Sequence, residues 1–183
     1  MLPGEMMIVC GESGSGKSAL LNNIAKQMHM QTNVIGSNNF KKGYNVQYFS
    51  LEMPYEAMFI RTIASMAGVS MYALRDAKMN TAEIQRVDEV FKFIEAYPFK
   101  FEIVDIPRGC SIEEIEKRYL EAKNYFEPDI IVVDYLGLLE DDDSSGDDWL
   151  KLGKITNKLR EFTRDYNLIM LTAAQLNRAN VKA

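Results

Sequence analysis

The chain has 183 residues, 47% hydrophobic and 26% charged, enough to bury a sizeable core with the balance of an ordinary soluble globular protein. No apolar run reaches the length that crosses a bilayer and no signal peptide precedes the first motif, so no membrane partner and a cytoplasmic location are expected. The net charge of −5 argues against a generic polyanion binder, and it is uneven: Glu140, Asp141, Asp142, Asp143, Asp147 and Asp148 crowd one short stretch, with the rest close to neutral.

The first element is an apolar run, Met6 to Cys10, predicted as a strand. It runs into Gly11-Glu12-Ser13-Gly14-Ser15-Gly16-Lys17-Ser18, and a helical pattern follows from about Lys17 to Met30. That is G-x-x-x-x-G-K-S between a strand and a helix, the context a phosphate-binding loop needs. Glycines let the backbone curl so that its N–H groups point inward, and the helix N-terminus adds to a polyphosphate site. The loop set is Gly11, Ser13, Gly14, Ser15, Gly16, Lys17, Ser18 and Ala19. Lys17 is expected to reach the outer phosphates as a point charge, and the Ser18 hydroxyl to ligate Mg²⁺ bridging phosphate oxygens.

Gln31 to Gly43 reads as an irregular excursion. A second strand is predicted over Asn45–Leu51, then a helix opened by Pro54 and running to about Gly68. Ser70 to Tyr97 reads as two helices, the second with Ile84, Val87, Phe91 and Ile94 at helical spacing. A third strand covers Phe99–Asp105. Ser111 with Glu114 forms a capping-box pattern for a helix carrying Ile112, Ile115, Tyr119, Ala122 and Phe126 on one face. Ile130-Ile131-Val132-Val133 is continuously apolar, as in a central strand buried on both faces, and ends at Asp134. After the acidic stretch, Leu152, Ile155, Leu159, Phe162 and Tyr166 mark another amphipathic helix; Lys151, Lys154 and Lys158 share a solvated face of it. The last strand runs from Leu168 to Thr172 and leads to Gln175. Alternating strands and helices predict an α/β fold with a mostly parallel sheet flanked by helices. Cys10 and Cys110 fall singly in or beside strands, as reduced thiols do, and the lone His29 argues against a histidine metal site.

Three further residues are read for chemistry. Asp134, at the end of the most apolar strand, matches a Walker B carboxylate that holds Mg²⁺ through its water shell. Many ATPases place a glutamate directly after that aspartate; here the residue is Tyr135, so the base that activates water comes from elsewhere. Glu52, just beyond the second strand, is the candidate, because strand C-termini line the ligand crevice of an open parallel sheet. Gln175 ends the last strand at the same edge, where a neutral amide can sense a γ-phosphate.

The P-loop, Ser50-Leu51-Glu52-Met53, Asp134-Tyr135-Leu136-Gly137-Leu138 and Ala174-Gln175-Leu176-Asn177-Arg178, in that order, resemble the motor domain of DnaB-type hexameric replicative helicases, phage-encoded versions included. The leading Leu2-Pro3-Gly4-Glu5 is similar to the approach to that domain. The resemblance covers nearly the whole chain. It implies a RecA-like fold, ATP with Mg²⁺, a homohexameric ring and translocation on single-stranded DNA. It implies that Lys17 and Ser18 serve phosphate and Mg²⁺, Asp134 the metal, Glu52 catalysis and Gln175 γ-phosphate sensing. It also implies pore loops near Leu139–Asp148 and after Gln175, although the acidity of the first would repel DNA phosphates. The family's arginine finger and further strands would follow residue 183, so the chain is expected to be one RecA-like core that binds nucleotide and turns it over poorly alone. A recombinase, an annealing factor and a KaiC-like regulator share these motifs and stay open; a small-molecule kinase would need an arginine-rich lid not seen here, and the intact motifs speak against a non-catalytic module.

Overall fold

The computed structural model describes residues 1–31, 33, 35, 42–140 and 148–176. Five strands are found where apolar runs predicted them: β1 (Met6–Gly11), β2 (Val46–Ser50), β3 (Phe101–Asp105), β4 (Ile130–Asp134) and β5 (Ile169–Gln175). They form one sheet in the order β1-β5-β4-β2-β3, and every pairing is parallel. β4 lies at the centre with all five residues buried, as its unbroken run of Ile and Val requires. β1 and β3 are the edges, and their residues are partly buried apart from Cys10 and Asp105, which are exposed.

Helices α1 (Lys17–Met30), α2 (Tyr55–Ala67), α3 (Met71–Arg75), α4 (Thr81–Ala96), α5 (Ile112–Ala122) and α6 (Asp148–Asp165) join the strands, with a 3₁₀ turn at Leu136–Leu138. The strand period of two sorts side chains onto two faces. Val46, Tyr48, Ile130, Val132, Ile169, Leu171 and Ala173 meet Leu21 and Ala25 of α1 and Met58 of α2. Phe49, Ile131, Val133 and Met170 face α5 and α6 instead. There Tyr119, Phe162 and Tyr166 pack edge to face, with ring centroids 5.0–5.5 Å apart.

The stripes predicted for α5 and α6 are the ones buried, with Leu152 and Tyr166 half-covered. On α4 the face differs. Ile84, Phe91 and Ile94 are 52%, 41% and 42% exposed, whereas Val87, Val90 and Phe93 are buried. The reason is that α4 packs on α2 through Ile63 and Ala67, not on the sheet, so a narrower and neighbouring stripe is covered. Caps differ too. Ser111 accepts from the Glu114 amide at 3.4 Å, but the Glu114 carboxylate turns to Arg118 at 2.9 Å, so only one arm of that box forms. Both arms form at Asn80 and Glu83, at 3.0 and 2.8 Å.

His29 lies inside α1, buried, its Nδ1 2.8 Å from the Tyr44 carbonyl. Cys10 is exposed on β1 and Cys110 half-buried before α5; both are free thiols. Of the irregular excursion over 31–43, residues 32, 34 and 36–41 lie outside the described residues, as do 141–147 of the acidic stretch and everything after Leu176, including Asn177 and Arg178. No helix among the described residues is long and apolar enough to cross a membrane.

Candidate functional site

Parallel strands send all their carboxyl ends to one edge, and register decides which residues meet there. Gly11 pairs with Gln175, and Ser50 stands between Asp105 on β3 and Asp134 on β4. The chain then leaves each strand as a loop over that edge. The Leu176 amide donates to the Gly11 carbonyl at 3.1 Å, and the Leu51 amide to the Asp134 carbonyl at 3.0 Å. The Ser50 hydroxyl closes the next turn on the Met53 carbonyl at 2.6 Å, which sets Glu52 at the rim, exposed.

Around this edge is a crevice of about 300 Å³, lined by Ser13, Gly14, Gly16, Lys17, Ser18, Ala19, Glu52, Met53, Arg61, Tyr135 and Gln175. Sequence-chosen residues from three separate segments therefore converge on it. The loop geometry depends on glycine. Gly14 and Gly16 have φ of 73° and 86°, the left-handed region that side-chain-bearing residues avoid. Gly16 is the N-cap of α1, and no side chain caps that helix or places a negative charge in its first turn. Its unpartnered N–H groups and positive dipole end are thus open to an anion.

Lys17 is folded back on the loop, its ammonium donating to the Gly11 and Glu12 carbonyls at 3.0 and 2.7 Å. Ser18 and Asp134 meet directly: the Ser18 hydroxyl donates to Asp134 Oδ1 at 3.1 Å. On the other oxygen, Oδ2, the Tyr48 hydroxyl donates at 2.8 Å. Asp134 is only 2% exposed and does not itself line the crevice; it lies directly behind Ser18. Burial pushes its carboxyl above the usual value, Glu52 adds to that, and the hydrogen bonds from Tyr48 and Ser18 together with the Arg61 charge oppose it. Burial likewise holds the Tyr48 phenol well above its usual value, with Asp134 second, so Tyr48 remains a donor.

The donor set fits a hard divalent ion shared with a polyphosphate. A serine hydroxyl keeps lone pairs for a metal while its O–H donates to Asp134, and Mg²⁺ retains several waters rather than demanding an all-protein cage. No group of three or more His, Cys, Asp or Glu able to cage a metal occurs among the described residues.

Sequence reasoning missed two residues here. Tyr48 carried a usable signal: a tyrosine two positions before Ser50 shares its face, and a buried phenol needs a partner. Arg61, on α2, carried none; it joins the crevice wall only in the folded arrangement. A second crevice, of about 460 Å³, adjoins the first and shares Tyr135 and Gln175 with it; Arg108, Lys151 and Glu140 are among its other walls. Its β3–α5 loop is stitched to the segment after Asp134 by Gly109 N–H to Leu138 O at 2.8 Å and Glu140 N–H to Cys110 O at 3.0 Å.

Comparison with known proteins gives one consistent match. The family described as DnaB-like helicase C terminal domain matches residues 1–182. A probable replicative DNA helicase of Trieres chinensis is 26% identical over 178 residues, covering 95% of this chain and 36% of that protein. Replicative DNA helicase DnaB of Rickettsia bellii (strain RML369-C) is 26% identical over 175 residues, covering 96% of this chain and 34% of its own. Among solved structures, a DnaB-like replicative helicase described with its interactions with primase superposes with a TM-score of 0.78 at 18% identity, over 97% of this chain and 40% of that one. A second solved structure, described as an ATPase domain, gives a TM-score of 0.78 at 20% identity, over 98% of this chain and 60% of that one. The chain thus spans about a third of the length of these two curated relatives.

Proposed function

The chain belongs to the DnaB-like helicase C-terminal domain family, with the RecA-like fold of its solved relatives, and on that premise we propose that it is the ATP-binding and hydrolysing core of a replicative helicase. The observation that carries the proposal is the convergence of the P-loop, Glu52, Arg61 and Gln175 on one crevice, with Asp134 held behind Ser18.

In this reading the loop amides and the α1 N-terminus cradle the ATP phosphates, and Lys17 leaves the Gly11 and Glu12 carbonyls to pair with outer phosphate oxygens. Ser18 and Asp134 would hold Mg²⁺, which would supply positive charge against the phosphates. Glu52 takes a proton from a water whose oxygen attacks the γ-phosphorus. The bond from that phosphorus to the bridging oxygen breaks, and its electron pair leaves with ADP. Gln175 senses the γ-phosphate, and because it also walls the second crevice, its movement would be felt there.

That second crevice, with Arg108 and Lys151, supports a contact with single-stranded DNA in a homo-oligomeric ring, six subunits by family analogy. The location proposed is the cytoplasm. Recombinase, annealing and KaiC-like readings rank below this one because the curated relatives quoted above are named replicative helicases. The distinguishing experiment is ATP-driven unwinding of a forked duplex by the assembled protein. Strand separation is expected; filaments on DNA without unwinding would favour the recombinase.

A further inference from the structure

We propose that Tyr48 is a positioning residue for Asp134, fixing the rotation of the carboxylate so that one oxygen is always presented to Ser18 and the metal. This rests on the reading of Asp134 as the carboxylate that holds Mg²⁺.

The position itself does not ask for a hydroxyl. Tyr48 is fully buried, packed with Leu21, Ala25, Val46 and Val132, and stacked on Phe101 at 6.3 Å between centroids. A phenylalanine would fill the same space. A phenol in such a site must find a partner or lose the hydrogen bond it made to water. The partner here is Asp134 Oδ2, at 2.8 Å and 86 residues away in sequence.

The aspartate gains as much. The torsion that turns a carboxylate is soft and roughly two-fold, so one donor alone does not fix it. With Ser18 on Oδ1 and Tyr48 on Oδ2, each oxygen has its own hydroxyl and the group is pinned from both ends. The Ser18 side faces the crevice and the Tyr48 side faces the core. Remove the phenol oxygen and Oδ2 is left buried and unpaired, free to relax only by rotating, which pulls Oδ1 off Ser18. Tyr48 touches neither nucleotide nor metal; it acts through Asp134.

The test is the coupling between Mg²⁺ and nucleotide, read as the affinity of this chain for a fluorescent ADP with Mg²⁺ divided by its affinity without. Tyr48→Phe is expected to reduce that ratio by roughly threefold to tenfold, the range for losing one typical intramolecular hydrogen bond. A merely structural role would lower both affinities together and leave the ratio alone. In an Asp134→Asn background, where the carboxylate is gone, Tyr48→Phe is expected to change the ratio no further. An undiminished ratio in Tyr48→Phe, or the same drop in the Asp134→Asn background, would overturn the inference and leave the site reading standing. No coupling in the unsubstituted chain would overturn the site reading and this inference with it.

Discussion

At the scale of single residues, the site contains one group held against its own stability. Asp134 is buried and its carboxyl lies above the usual value because burial disfavours the charged form. The folded chain therefore holds that proton more tightly than the unfolded chain. The stability this contributes is present below the ordinary carboxylate range and is lost as pH rises through the raised folded-state value. Asp134→Asn removes the charge, so the metal-free variant is expected to gain on the unsubstituted chain as pH climbs from about 3.8 to neutrality, while losing Mg²⁺ coupling. Thermal melts across that pH window check the sign; a constant difference would refute the account of burial. Glu52 is exposed at the rim with its turn pinned beneath it. In the longer, assembled protein, Glu52→Gln is expected to keep ATP binding and slow hydrolysis by about 10²–10⁴-fold, the usual worth of a general base. Undiminished turnover would remove Glu52 from the mechanism. The P-loop, Asp134 and Glu52 were legible in sequence because each sits at a strand's end, where local pattern suffices. Tyr48 was not read, because its meaning depends on a partner brought to it by sheet register.

At the scale of elements, the strands were legible because an apolar run bounded by polar residues needs no tertiary information. Which face of a helix is covered does need it. The predicted α4 stripe of Ile84, Val87, Phe91 and Ile94 has sound helical spacing, but α2 covers Val87 and Val90 and leaves Ile84 and Ile94 exposed, with Phe91 only stacked on Phe59 at 6.4 Å. The cap that matters for α4 is Asn80, and Asn80→Ala is expected to cost about 1 kcal/mol, the usual loss at an N-cap. For a domain near this size that is a fall of roughly 2–4 °C in melting temperature. Gly43 secures the approach to β2. A Cβ there would collide with the Tyr97 hydroxyl and fall 2.7 Å from the His29 carbonyl, which that hydroxyl caps at 2.8 Å. Gly43→Ala is expected to destabilise by about 1–3 kcal/mol through this overpacking, measured by denaturant unfolding; a neutral result would contradict the overpacking account.

At the scale of the whole molecule, the order β1-β5-β4-β2-β3 is what the sequence could not state and the site cannot do without. Alternating elements predicted a parallel sheet, but only the order brings Gly11 beside Gln175 and Ser50 beside Asp134. Loops from opposite halves of the chain then overhang one crevice, and Tyr135 and Gln175 stand between it and a second one carrying Arg108 and Lys151. On the function proposed above, that shared wall would be the route by which nucleotide state reaches a nucleic-acid contact. The measurement that tests it most directly is the ATPase rate of the assembled protein with and without single-stranded DNA. The account predicts a marked rise on adding the strand, lost at high salt as contacts to phosphates would be. Hydrolysis that proceeds at one rate with or without DNA would contradict it, leaving a nucleotide site with no connection to the neighbouring crevice.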